Sequence, residues 1–182
     1  MFGRVAIGVP FLHLAPSCRG RGVEARPPQT YIAPEPTTQG QIMKARIKWV
    51  EGRTFVGESG SGHQIVLGTA FGEGGRSPGP SPMELVLIGA GGCSSFDVVH
   101  ILQKGRDPVE DCVLEMEADR AETEPKVFTR IHMHFIVKGR GLSAQKVERA
   151  VQLSIEKYCS ATAMLGRTAE ITHDFEVIDT SA

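Results

Sequence analysis

From residue 44 the chain alternates. Ala45, Ile47 and Trp49 are apolar, and Lys44, Arg46 and Lys48 between them are charged. That period of two predicts a strand with one wet face. Glu51-Gly52 turns it, and "RTFVGE" and "HQIVL" read as two further strands of a meander. Residues 68–82 hold five glycines and three prolines, which predicts a loop. The period then changes. "SPMELVLIGAGGCSSFDVVHILQKG" opens on Ser81 as N-cap, with Pro82 in the first helical position and Glu84 completing a Ser-x-x-Glu capping box. It ends at Lys104-Gly105.

Alternation returns in "EDCVLEMEAD", with Cys112, Leu114, Met116 and Ala118 on one face. It continues in "VFTRIHMHFIV", with Val127, Ile131, Met133, Phe135 and Val137 on one face. "AETEPK" joins the two as a hairpin. "SAQKVERAVQLSIEKYC" starts at Ser143 and keeps Val147, Ala150, Val151 and Ser154 on one stripe, an amphipathic helix. "SATAMLG" is a short helical turn. "AEITHDFEVI" closes the chain as a strand with Ile171, His173, Phe175 and Val177 to one side. The order βββαββαβ predicts an α+β domain of antiparallel sheets with two main helices packed against them.

The first helix is apolar nearly all round, from Leu85 through Ile88 and again from Phe96 to Leu102. One sheet covers one side of a helix, so a second subunit is expected on the other, making a homodimer.

Composition changes this picture little. The 182 residues are 41% hydrophobic and 23% charged, an ordinary soluble balance for one domain. A net charge of −1 gives no field for nucleic acid or an anionic membrane. No unbroken apolar run reaches the roughly 18 residues of a membrane span. Residues 1–42 stand apart because six of the 11 prolines fall there. They read as a disordered N-terminal extension, leaving residues 43–182 as the domain. A faint secretion pattern near the start is broken by Gly8 and Pro10 and lacks a clean cleavage site, so a cytoplasmic location is expected.

The chemistry lies in the cysteines. Cys18, Cys93, Cys112 and Cys159 have no CxxC spacing, which argues against a disulfide scaffold or a zinc site. Cys18 lies in the extension and carries no assigned role. Cys112 sits on an apolar strand face as a small buried hydrophobe. Cys93 comes after Gly89, Gly91 and Gly92, each costing a helix interior about 1 kcal/mol. If the glycines break the helix, Cys93 lies in a fresh first turn, where unpaired N–H groups lower a thiol pKa. If they do not, they are small residues for close helix packing. Cys159 also falls at a break, where one helix passes into a short turn. Two break-positioned cysteines suggest an attacking and a resolving thiol.

"SPMELVLIGAGGCSSFDVV" together with the later "SIEKYCSATAML" resembles the OsmC/Ohr family of organic hydroperoxide resistance proteins, most of all the OsmC-like branch with "GGCS" and "KYCS" elements. The resemblance runs from about Met43 to Ile178. It implies an intertwined homodimer with each active site built from both subunits, Cys93 as peroxidatic cysteine and Cys159 as resolving cysteine. Family peroxidases usually carry a glutamate ten residues before the first cysteine. Met83 occupies that place here, and Glu84 is one residue late, about 100° around the helix. Arg53 matches the family's arginine near the first hairpin.

The expected activity is reduction of organic hydroperoxides through a cysteine sulfenic acid and an intramolecular disulfide, with an external dithiol as reductant and no cofactor. Phe96 and Met164 are candidates for the apolar wall that would favour organic peroxides. The rival reading is a non-catalytic or redox-sensing dimer that binds a small apolar ligand. His132 and His134 share a strand face but have no evident third ligand, so no metal site is expected.

Overall fold

The computed structural model describes residues 42–70 and 75–181. The extension predicted over residues 1–42, with Cys18, lies outside them apart from Ile42. A compact unit begins at Met43.

Three short strands, β1 (Ala45–Glu51), β2 (Thr54–Ser59) and β3 (Gln64–Gly68), form an antiparallel meander. Gly52 makes the first turn at φ 50°, a left-handed conformation that glycine adopts without strain. A long helix, α1 (Pro82–Lys104), leads to β4 (Val109–Arg120) and β5 (Phe128–Gly139). Then α2 (Ala144–Leu153), a π-helical turn over Ser154–Tyr158, α3 (Ser160–Leu165) and β6 (Glu170–Asp179) complete the chain.

The α+β class and the element order are those predicted, with two corrections to the strands. The second sheet, ordered β4-β5-β6, is mixed rather than antiparallel: β4 and β5 form a hairpin, but β6 runs parallel to β5. The reason is the connection. Two helices between β5 and β6 carry the chain back along the sheet, so β6 enters in the same direction as β5. A second correction is local. Phe128 rather than Val127 starts the buried face of β5, because an irregularity at Asp119/Arg120 shifts the hairpin register.

The core lies between this sheet and the helices. Ile131, Met133, Phe135 and Val137 of β5 meet Val98 and Leu102 of α1 and Val147, Ala150 and Val151 of α2. Each large apolar side chain taken out of water there contributes about 1.5–3 kcal/mol.

Helix α1 is unbroken, so of the two readings of the glycines the fresh start at Cys93 falls. Its capping box is present: Glu84 N donates to Ser81 Oγ at 3.3 Å, and Ser81 N donates to Glu84 Oε2 at 2.6 Å. A start this well defined, with a face packed on the sheet, outweighs the glycine cost. Gly91 is a packing residue, since a Cβ there would lie 2.7 Å from Met116 Sδ on β4. Gly89 and Gly92 have open space where a side chain would be.

By length and composition α1 is apolar enough to cross a bilayer. Its stripe of Ala90, Gly91, Ser94, Val98 and Leu102 is instead buried within the protomer. Its other side is open, with Ile88 61% and Phe96 70% exposed. The sheet β1-β2-β3 touches the other elements only sparsely and leaves Ile47, Trp49 and Ile65 exposed.

Candidate functional site

Cys93 projects from the middle of α1, at the border between its buried and open sides. Asp97 comes one turn later and therefore shares that border. Cys159 arrives from the far end of the helical connection. The π turn at Ser154–Tyr158 ends on an extended Cys159, with φ −70° and ψ 103°, which then caps α3. The extra residue in a π turn re-aims the chain beyond it. The fold thus closes a gap of 66 residues (159 − 93). The sulfurs of Cys93 and Cys159 and a carboxylate oxygen of Asp97 all lie within 4.8 Å of one another. Both cysteines are free thiols.

The two sulfurs have different surroundings. Cys93 is half-buried, whereas Cys159 is only 2% exposed. Ser94 Oγ donates to Cys159 Sγ at 3.1 Å, and Thr162 N donates to the same sulfur at 3.5 Å. Burial pushes the Cys159 thiol up, but hydrogen bonds from Ser94, Thr162 and Cys93 outweigh it, and its pKa lies below the ordinary value. The Cys93 thiol moves the other way. Burial raises it first, the Ala161 backbone opposes this, and the bond to Cys159 with the nearby Asp97 charge raises it further. The lowered thiol is therefore the buried one, whereas the sequence placed the activated sulfur at Cys93. The physical reason is burial beside Cys159 and Asp97, which the single Ala161 backbone N–H in the first turn of α3 only partly offsets.

This has a chemical consequence for Cys93. With its pKa raised, its thiolate fraction is small near neutrality and grows about tenfold per pH unit. Alkylation of Cys93 by iodoacetamide, monitored on its own peptide by mass spectrometry, is expected to accelerate by about that factor per unit from roughly pH 6 to 8. A flat profile would mean the thiolate is already formed there.

The other predicted residues are not brought to this pair. Glu84 is engaged in the α1 cap, and its pKa is lowered by the Ser81 hydrogen bonds. Nine residues at 100° each put it on the opposite side of α1 from Cys93, about 13 Å along the axis. Met83 packs against the core. Arg53 sits exposed after the β1–β2 turn, in the sheet that barely touches α1 within the protomer. His132 and His134 lie on the outer face of β5, where His132 Nδ1 is 2.9 Å from Thr172 Oγ1 and His134 pairs with Asp174.

Sequence reasoning missed three residues. Ser154 Oγ donates to Asp97 Oδ2 at 3.3 Å and to the Ser94 carbonyl at 3.2 Å, so Ser94, Asp97 and Ser154 brace the pair. Only Asp97, one turn beyond Cys93, could have been noticed locally. Ser94 and Ser154 gave a weak sign as polar residues on buried stripes.

The family described as OsmC-like protein matches residues 72–174, which include both cysteines. The chain belongs to the OsmC family. Protein YhfA of Escherichia coli is 54% identical over 136 residues, covering 75% of this chain and 98% of that protein. A hypothetical protein from Aquifex aeolicus is 30% identical, with a TM-score of 0.67 over 76% of this chain and 97% of its own. An organic hydroperoxide resistance protein OsmC from Legionella pneumophila shares the fold at 19% identity, with a TM-score of 0.56 over 75% of this chain and 98% of that one. The residues matched to the OsmC family span α1 from end to end.

Proposed function

We propose that residues 43–182 form an OsmC-like domain that acts as a homodimeric thiol peroxidase on organic hydroperoxides, in a reducing cytoplasmic compartment. The observation that carries the reading is the convergence of Cys93 and Cys159 from remote points of the chain, one reachable from solvent and one buried. Organic hydroperoxide resistance is also the role for which the Legionella relative is named.

The surroundings of each sulfur set its role. The hydroperoxide reaches Cys93, the more accessible sulfur. The Cys93 proton passes to the neighbouring Cys159 sulfur, and the Cys93 thiolate attacks the distal peroxide oxygen. The O–O bond breaks and the proton passes from Cys159 to the departing alkoxide, leaving Cys93 sulfenic acid, an alcohol and Cys159 as thiolate. Cys159, whose hydrogen bonds favour its thiolate, attacks the sulfenic sulfur and expels water. The dithiol protein and ROOH thus become disulfide protein, ROH and H₂O. An external dithiol restores the pair by exchange, becoming a disulfide itself. Phe96 and Met164, both exposed on the protomer, supply apolar surface on the helices that carry the pair.

The homodimer is supported by the open side of α1 and the bare face of β1–β3. A three-stranded sheet lacking a packed face is marginal alone, and a partner protomer would supply its cover.

The test is intact-mass analysis of reduced protein after one equivalent of cumene hydroperoxide, with peptide mapping. The expected product is two hydrogens lighter and carries a Cys93–Cys159 link. Unchanged mass would sink the reading.

The rival, a redox-sensing dimer without turnover that takes a small apolar ligand, draws on the raised Cys93 thiol. Sustained peroxide consumption with dithiothreitol present decides against it. A single oxidation event without turnover decides for it.

A further inference from the structure

We propose that the reduced Cys93–Asp97–Cys159 cluster is a binding site for a thiophilic divalent cation, with zinc as the fitting ion. Cysteine spacing along the chain argues against zinc, but spacing is blind to groups that only the fold assembles. Among the described residues these three offer two sulfurs and one carboxylate oxygen within 4.8 Å of one another. Zinc holds sulfur at about 2.3 Å and carboxylate oxygen at about 2.0–2.2 Å, which needs ligand atoms roughly 3.3–3.8 Å apart. Binding would draw these atoms together by about an ångström.

The donor set selects the ion. Two thiolates with one carboxylate suit zinc, whereas magnesium and calcium take oxygen alone. Two of the three ligands are already oriented by hydrogen bonds from outside the cluster. Ser94 and Thr162 donate to the Cys159 sulfur, and Ser154 donates to the Asp97 carboxylate. Such outer hydrogen bonds are what position metal ligands in built sites. Cys93 and Asp97 are half-buried, so the ion enters from their side and a water completes the tetrahedron.

Binding is not a redox step. Zinc displaces the remaining thiol protons to solvent, so affinity falls as pH falls. The bound ion occupies the Cys93 sulfur and shields it from electrophiles. A disulfide offers no thiolate, so oxidised protein should not bind.

The test uses the full chain, reduced, with no peroxide present, so its result is independent of the peroxidase reading. Zinc is titrated in competition with a chromophoric chelator, and cadmium is titrated while the thiolate-to-metal ultraviolet absorption is recorded. One ion per chain is expected. Cys93→Ser and Cys159→Ser should each weaken binding by at least about a hundredfold, and Asp97→Asn by about tenfold. Cys18→Ser and Cys112→Ser should bind as the parent does. Zinc should also slow iodoacetamide labelling of Cys93. Should a cysteine variant fail to fold, as judged by circular dichroism, parent protein oxidised with diamide serves instead and should lose the ion. No stoichiometric zinc at micromolar concentrations would overturn the proposal. So would parent-like binding in folded Cys93→Ser, in Asp97→Asn or in the diamide-oxidised chain.

Discussion

Cys93→Ser is expected to end hydroperoxide consumption, lowering the dithiothreitol-dependent rate by roughly three orders of magnitude or more, the scale on which an enzyme loses its nucleophile. A serine hydroxyl does not ionise near neutrality and forms no sulfenic acid. Cys159→Ser is expected to behave differently. Cys93 still attacks, but its sulfenic acid has no partner 4.8 Å or less away. It should accumulate and be trapped by dimedone at one equivalent per chain, with any turnover then dependent on direct attack by external thiol. The contrast between the variants carries the assignment. If Cys159→Ser were the inert one and Cys93→Ser gave the dimedone adduct, the roles would be reversed. That reversal is chemically conceivable because Cys159 has the lowered pKa. Burial argues against it, since Cys159 is 2% exposed.

The second large effect concerns assembly. The parent protein is expected to sediment at twice the chain mass of 19.7 kDa, and Ile88→Asp at the mass of one chain. Ile88 is 61% exposed on the protomer. Within one protomer the change should therefore cost no more than about 0.5 kcal/mol, as surface substitutions do. In a dimer whose α1 helices face each other, it buries an unpaired charge, which costs several kcal/mol. Ile88, Gly89, Gly92 and Phe96 fall within about 100° of one another on the helix, and the two glycines leave room for a second backbone. A monomeric parent, or an Ile88→Asp variant that remains fully dimeric, would remove the dimer from the proposal.

Much of the fold was legible in the sequence because its signals are local. Alternation named the faces of β4 and β5, since the pleat puts successive side chains on opposite sides. Ser81, Pro82 and Glu84 named the start of α1, since a capping box lies within four residues. The parallel entry of β6 was not legible, because nothing in "AEITHDFEVI" records the path of the connection before it. The glycines before Cys93 left two readings open for a related reason. Gly91 is small to admit Met116, a residue of another element, and the local signal for close packing is the same as that for a break.

At the site the division is sharper. The sequence alone determined that Cys159 falls at a break between two helical segments, and that Glu84 belongs to a helix cap. Only the tertiary structure decided that Cys93 and Cys159 meet, that Asp97 joins them, and that the lowered thiol is Cys159 rather than Cys93. The physical reason is that a thiol's pKa depends on burial and on the donors and charges within a few ångströms. For Cys159 one such donor is Ser94, 65 residues away in the chain, brought into contact by folding.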